Sequence, residues 1–424
     1  MIETLDYGAF SLTVHQEVNG RRIPVNGTIE LTHRCPLECV HCYNNLPMSD
    51  GGARRRELTT AEHCRILDEL AELGCLWLLI TGGEVLARPD FFEIYRHAIA
   101  TGMLVTVFTN GTLITERVAD AFAETPPFAI EITLYGRTKA TYEALTGIPG
   151  SFERCLRGIQ LLLERKLPLK LKTVAISTNK HEVTAMKRFA EELGVRFSFD
   201  SMMTPRIDCS ASPLSVRLTP ADIVVLDLED PVRVSDWRRL ALEYAPPPPA
   251  EGEVPGVYNC GGGVNSFAID PYGDMSICVL SQVDKFNVRD HGVREGWETF
   301  LRRVRDKRAT RVTKCTTCAL SSLCGSCAAN GELEMGDAEA PIDFLCRTAH
   351  LRAEVFGIDV RAHGECEYCI DGSHRHEIDE MAEEVRGRHR GDIAEVIASV
   401  PLKEAGAACG TGGCGSCGLH EGGI

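Results

Sequence analysis

The 424-residue sequence has no apolar run approaching the ~18 residues that a membrane-crossing helix needs, so no helical membrane span is expected. Met1 to Phe10 lacks the basic stretch and following apolar run of a secretory signal. Basic charge is also short: 45 Lys and Arg face 60 Asp and Glu, a net charge of -15. Phosphate backbones are bound by clustered Lys and Arg, so nucleic acid is not an expected partner, and the acidity reads as solubility. No repeat of long period is present. Cysteine is the exception, at 19 residues unevenly spaced. A chain this large has no need of a disulfide framework, so the thiols point to metal or redox chemistry in a reducing compartment, with the cytoplasm as the expected location. At 44% hydrophobic and 25% charged residues a packed core is available, and the length suggests two or three domains.

From about residue 27 to 200, short apolar runs alternate with amphipathic helical patterns. Strands are expected at 28–31, 76–80, 104–108, 129–134, 169–176 and 195–199, with helices at 89–100, 115–124, 152–165 and 180–193. Thr59 and Glu62 form a capping box for a further helix, with Ile66, Leu67, Leu70 and Leu73 on one face and Gly74 as its stop. Six βα units predict an α/β fold, a partial (β/α)6 TIM-like barrel, with chemistry at the C-terminal strand ends. Residues 201–250 read as irregular and end in Pro246 to Pro249, a stiff connector. Beyond it, 267–269 and 275–279 read as a hairpin around Pro271-Tyr272-Gly273-Asp274. Residues 376–400 read as charged exposed helix, and Cys409 to Gly423 as a flexible Gly-rich tail. The expected organisation is an N-terminal segment 1–24, a barrel 25–235, a linker 236–256, a cysteine-rich domain 257–350, and a helical extension with a Gly/Cys-rich tail 351–424.

Cys35, Cys39 and Cys42 follow the first strand at spacings that let one loop wrap one site. Soft thiolates select zinc, copper(I) or iron–sulfur clusters, and zinc would recruit His33 or His41 as a fourth ligand. The pattern Cys-x3-Cys-x2-Cys with His41 in the aromatic position resembles the signature of the radical S-adenosylmethionine (SAM) superfamily. The resemblance implies that the three cysteines hold a 4Fe–4S cluster whose open iron binds SAM, which is split to methionine and a 5′-deoxyadenosyl radical. It also implies that Thr81-Gly82-Gly83-Glu84, after the second strand, is the motif that holds the methionine amino group, with Glu84 accepting from the ammonium. Asn110 after the third strand, Thr133 after the fourth, and Ser177 and Asn179 after the fifth become candidate SAM contacts; each has a turn or cap as its alternative. Tyr135 stands where relatives carry an acidic residue.

Seven more cysteines follow the prolines: Cys260, Cys278, Cys315, Cys318, Cys324, Cys327 and Cys346. Two Cys-x2-Cys pairs would suit a zinc knuckle, but seven soft ligands exceed one tetrahedral site. Their order, with Gly273 five before Cys278, resembles the SPASM domain of peptide-modifying radical SAM enzymes. One spacing departs: two residues rather than three separate Cys324 from Cys327. The resemblance implies one or two auxiliary 4Fe–4S clusters, with Cys260, Cys278 and Cys327 on the first and Cys315, Cys318, Cys324 and Cys346 on the second. Cys366 and Cys369, with His374 and His376 close behind, form a further candidate zinc set. Cys64 and Cys75 read as core, and Cys155 and Cys209 are isolated. Cys409, Cys414 and Cys417 in the tail could recruit metal, carry sulfur or resemble a substrate.

The expected activity is hydrogen abstraction from a peptide or protein, with auxiliary clusters supporting oxidative modification or cross-linking. A flavodoxin or ferredoxin is the implied reductant. The short stretch before Cys35 is too small for an added leader-binding domain, so a leader-dependent enzyme would need a separate leader-recognition protein or another docking surface. Tetrapyrrole side-chain decarboxylation, formylglycine formation in a sulfatase and a non-catalytic iron–sulfur electron carrier are the competing readings.

Overall fold

The computed structural model describes residues 6–18, 20–243, 254–359 and 365–399. The proline connector and the tail cysteines lie outside the described residues. Two compact units are formed: one from residues 14–216 and 261–306, the other from 1–13, 217–260 and 307–424.

The first unit is built on a parallel sheet. Its strands are β1 (Asn26–Glu30), β2 (Trp77–Thr81), β3 (Leu104–Thr109), β4 (Ala129–Thr133), β5 (Leu169–Val174) and β6 (Arg196–Asp200), each parallel to the next. These are the six expected strands, and the crossovers that parallel pairing demands are helices. Helix Thr60–Glu72 begins with the reciprocal capping box of Thr59 and Glu62, and Ile66, Leu67 and Leu70 are buried along its inner face. Helix Phe91–Ala100 packs Phe91 and Tyr95 against Phe122 of helix Glu116–Glu124. On β3, Val105, Val107 and Thr109 are buried while the alternate residues are half-buried, and β2 and β5 repeat this alternation. One face of the sheet therefore packs under helices and the other lines the barrel interior.

The hairpin of β7 (Ser266–Ile269) and β8 (Asp274–Ser276) forms where expected, and β9 (Phe286–Asn287) extends it. It does not stand alone: β7 pairs parallel with β1, so the sheet has nine strands in the order β9-β8-β7-β1-β2-β3-β4-β5-β6.

The second unit is helical. The stretch expected to be irregular contains helices Pro220–Leu228 and Pro231–Glu243. The first is apolar on nearly every side, which hides the helical period, although Thr219 caps it and Pro220 occupies its first turn. Val224 and Leu228 pack with Leu351 and Val355 of helix Asp343–Val355 and with Ala382 and Val385 of helix Arg375–Arg388. The expected helix at 376–400 is two helices, the second being Ile393–Ser399. No helix among the described residues is long and apolar enough to cross a membrane.

Candidate functional site

β1 ends at Glu30, and the chain then enters the loop of Cys35, Cys39 and Cys42. An irregular loop holds its shape only through bonds to other elements, and here they are numerous. Buried Glu30 accepts from Tyr43 Oη at 2.8 Å and Asn44 Nδ2 at 2.6 Å, closing the loop on its own start. Arg34 forms a buried two-pronged pair with Glu57, at 2.8 and 2.9 Å. Arg206 donates to the carbonyls of Cys42 at 3.0 Å and Asn45 at 2.9 Å. None of these braces is marked by a local sequence pattern, because each joins residues far apart in the chain or within an irregular loop.

The Gly82-Gly83-Glu84 turn is zipped onto the same loop. Gly83 N–H donates to Thr32 O at 2.6 Å and Glu84 N–H to Arg34 O at 3.0 Å. A Cβ on Gly82, whose φ is +147°, would sit 2.2 Å from Thr32 O, and one on Gly83 2.5 Å from His33 O. Glycine is required because two backbones touch. The close approach is to the cysteine loop, where the sequence suggested an approach to a ligand.

Glu84 is fully buried, and burial raises its pKa. Its carboxylate accepts from Thr109 Oγ1 at 2.7 Å, Asn110 N at 2.8 Å and Leu86 N at 3.1 Å. A carboxylate has about four lone-pair sites, so three are already committed within the chain. Glu84 thus ties β2 to β3, and one acceptor site remains for a ligand ammonium. Asn110, held by that bond, brings Nδ2 to 3.6 Å from the Cys35 sulfur.

The three thiols share a pocket with Leu37, Leu145, Ile176 and Met203. Burial pushes Cys35 up to about 12 and raises Cys39 and Cys42 as well, so binding a metal would release their protons. Tyr135 is hydrogen-bonded to Cys39, and its ring centroid lies 5.2 Å from that of His41. Burial lowers His41 to about 4, leaving a neutral imidazole whose buried Nδ1 has no hydrogen-bond partner. Among the described residues, only His350, Cys366 and Cys369 bring three metal-ligating atoms within 4.8 Å of one another. Three soft thiolates on one loop suit a polynuclear iron–sulfur cluster with one metal left for an outside ligand. The donor set, the apolar pocket and the orphaned His41 nitrogen fit an iron–sulfur cluster with an outside ligand.

The remaining candidates divide. Thr133 is half-buried at the end of β4, and Ser177 is exposed with its N–H bonded to Val216 O. Asn179 is fully buried; its amide donates to Tyr135 O and Val174 O and accepts from Ile176 N. It braces the ends of β4 and β5, the turn role that was the alternative to a ribose contact. On the half-buried strand face, Lys172 Nζ lies 3.4 Å from Glu131, and burial lowers it to about 8 against the pull of that carboxylate. This pair was also missed, although the alternation on β4 and β5 places both residues on one face.

Cys278 follows β8 in the barrel unit, whereas Cys260, Cys315, Cys318, Cys324, Cys327 and Cys346 belong to the helical unit. Cys315 is hydrogen-bonded to Cys346, which lowers the first thiol and raises the second, and burial pushes Cys324 up to about 12. Every described cysteine is a free thiol. Cys75 and Cys155 are buried, Cys64 is half-buried and Cys209 is exposed.

A three-thiol loop at the end of a parallel strand, met by a Gly-Gly-Glu turn at the end of the next, is the arrangement that the sequence resemblance led one to expect. Residues 29–190 match the radical SAM superfamily, whose members bind SAM and a 4Fe–4S cluster. Among curated relatives, the chain is 36% identical to the AdoMet-dependent heme synthase of Methanosarcina barkeri over 165 residues, 39% of this chain and 46% of that protein. It therefore spans less than half of that relative. It is 29% identical to the mycofactocin maturase MftC of Mycobacterium tuberculosis over 325 residues, 74% of this chain and 78% of that protein. Streptococcus suis SuiB bound to its precursor peptide SuiA has the same fold, with a TM-score of 0.60 at 18% identity over 79% of each chain.

Proposed function

We propose that the protein is a peptide maturase that abstracts hydrogen from a peptide or protein and drives its oxidative modification or cross-linking. One observation carries this reading: the likeness to a maturase runs over 325 residues, well past the radical SAM segment, while the likeness to the heme synthase stops at 165. The fold shared with a peptide-bound enzyme agrees with it.

Cys35, Cys39 and Cys42 would hold a 4Fe–4S cluster, which when bound would supply the electron for reductive cleavage of SAM. The chain's part is placement. Gly82 and Gly83 let the turn seat on the cysteine loop, Glu84 locks that turn to Asn110, and Asn110 and Tyr135 present donors to the Cys35 and Cys39 sulfurs. Donors to sulfur tune cluster potential. Neutral His41, whose buried Nδ1 has no partner in the chain, together with Glu84, Thr133, Ser177 and Asn179, would supply the further contacts to bound SAM. Cys260, Cys278 and Cys327, and Cys315, Cys318, Cys324 and Cys346, are the ligand sets for two auxiliary clusters, which would supply acceptors for the electron that oxidation releases. A cytoplasmic setting, a flavodoxin or ferredoxin reductant and a separate leader-recognition protein complete the proposal.

The test is anaerobic incubation of the full chain with SAM, dithionite and a panel of Cys- and Gly-rich peptides, read by mass spectrometry. The reading predicts a peptide that loses two hydrogens in step with 5′-deoxyadenosine formation. Decarboxylation of a siroheme-type compound in the same assay, with every peptide unchanged, would replace it with the tetrapyrrole reading.

A further inference from the structure

Outside the ligand sets named above, three side chains of the helical unit converge. His350 comes from helix Asp343–Val355, and Cys366 and Cys369 from the turn that follows the undescribed residues 360–364. All three are buried, and both sulfurs lie 3.6 Å from the same atom, His350 Nε2. Zinc bonds of about 2.05 Å to nitrogen and 2.3 Å to sulfur at a tetrahedral angle set N and S about 3.6 Å apart. The observed spacing is thus that of two edges of a zinc tetrahedron. A thiol–imidazole hydrogen bond explains it less well, because one nitrogen lone pair accepts from one thiol.

The surroundings fix the donors. His350 Nδ1 lies 2.8 Å from Cys346 O, and a carbonyl only accepts, so Nδ1 carries the proton and Nε2 turns its lone pair to the sulfurs. The Cys366–Cys369 turn is closed by Cys369 N–H to Cys366 O at 3.3 Å and Gly372 N–H to Cys369 O at 2.9 Å. A Cβ on Gly372 would sit 2.3 Å from Glu367 O, so the turn is as tight as a metal knuckle. Tyr368 ties the turn to the helix by donating to Asp343 at 2.9 Å and accepting from Arg347 at 3.0 Å. A cavity of about 280 Å³ borders the site, lined by His350, Cys369, Glu354, Ile358 and Arg375.

We propose that His350, Cys366 and Cys369 bind one zinc ion, distinct from the iron–sulfur clusters, that pins the 365–372 turn to the helix bearing Cys346. His374 and His376, which follow the two cysteines in sequence, are not part of the ligand set. Because the Cys346 carbonyl orients His350, the zinc also steadies the turn of helix from which Cys346 projects.

Zinc and iron would be counted in the full chain purified anaerobically, as wild type and as the Cys366→Ser/Cys369→Ser variant. About one zinc per wild-type chain, lost in the variant while iron and 5′-deoxyadenosine formation persist, is the expected result. Loss of about four irons in the variant would make these thiols cluster ligands and overturn the proposal. Wild type that takes up no zinc on incubation with zinc chloride would also overturn it. Zinc K-edge absorption of wild type, which does not depend on the variant folding, should show two sulfurs; a third sulfur would contradict the ligand set by adding Cys346.

Discussion

At the barrel's strand ends, Cys35, Cys39 and Cys42 lie on a loop whose shape is imposed by Glu30, Arg34–Glu57, Arg206 and the Gly-Gly-Glu turn. In the helical unit, His350 takes its position from one helix, and Cys366 and Cys369 from one tight turn. The ligating atoms of the second set lie within 4.8 Å of one another. Three soft thiolates in apolar surroundings suit a polynuclear cluster with room for an outside ligand, whereas close donors on regular structure suit one ion with a bracing role. On the proposed reading, reactive chemistry would sit where loops from several strands meet and the brace on secondary structure.

Breaking the helical frame should have the largest effect on stability. Asp227 is fully buried between Arg352 at 2.9 Å and Arg233 at 2.8 Å, and the Arg352 guanidinium lies 3.9 Å from the Trp237 ring centroid. Asp227→Ala strands a buried cation and should cost about 3–5 kcal/mol in denaturant unfolding. Burial raises the Asp227 pKa, but the two arginines outweigh it and hold it below the usual value. The pair therefore stabilises fully at neutral pH, and that stability is lost as pH falls below about 4. The variant should lose this acid dependence.

Gly83→Ala attacks the clamp on the cysteine loop. Its Cβ would meet the carbonyls of His33 and Arg34 at 2.5 and 2.6 Å, and neither backbone is free to yield. A loss of about 3 kcal/mol is expected, with SAM cleavage abolished and iron lost from the N-terminal cluster first. Glu84→Gln keeps the shape but turns an amide N–H₂ toward a backbone N–H or toward Thr109. It should cost about 2 kcal/mol and raise the KM for SAM more than it weakens iron binding. Tyr135→Phe removes only the hydroxyl beside Cys39. Stability should fall by about 0.5–1.5 kcal/mol, iron should stay, and the potential of the N-terminal cluster should become more negative in a redox titration.

The six strands were legible because buried parallel strands read as short apolar runs at βα spacing. The capping box at Thr59 and the positions of the cysteines and of Gly82 to Glu84 were equally plain. Local pattern failed where partners lie far apart in sequence. Nothing near Ser266 announces that β7 pairs with β1. Helix Pro220–Leu228 was missed because a helix buried on nearly all sides shows no period, though its Thr219 cap was there to be read. His374 and His376 drew attention by proximity, while the imidazole that meets the thiols lies sixteen residues before Cys366. A signal existed: Cys346 and His350 stand four apart on one helix face. Asn179 stayed open between two readings because a strand-end Asn looks alike in sequence whether it faces a ligand or its own backbone, and its backbone bonds appear only in the structure.

The most direct test compares the anaerobically reconstituted full chain with the Cys35→Ala/Cys39→Ala/Cys42→Ala variant, counting iron and following 5′-deoxyadenosine formation from SAM under dithionite. Wild type should form 5′-deoxyadenosine, and the variant should form none while carrying about four fewer irons. A variant that keeps its iron and still cleaves SAM would contradict the assignment of the radical centre to this loop.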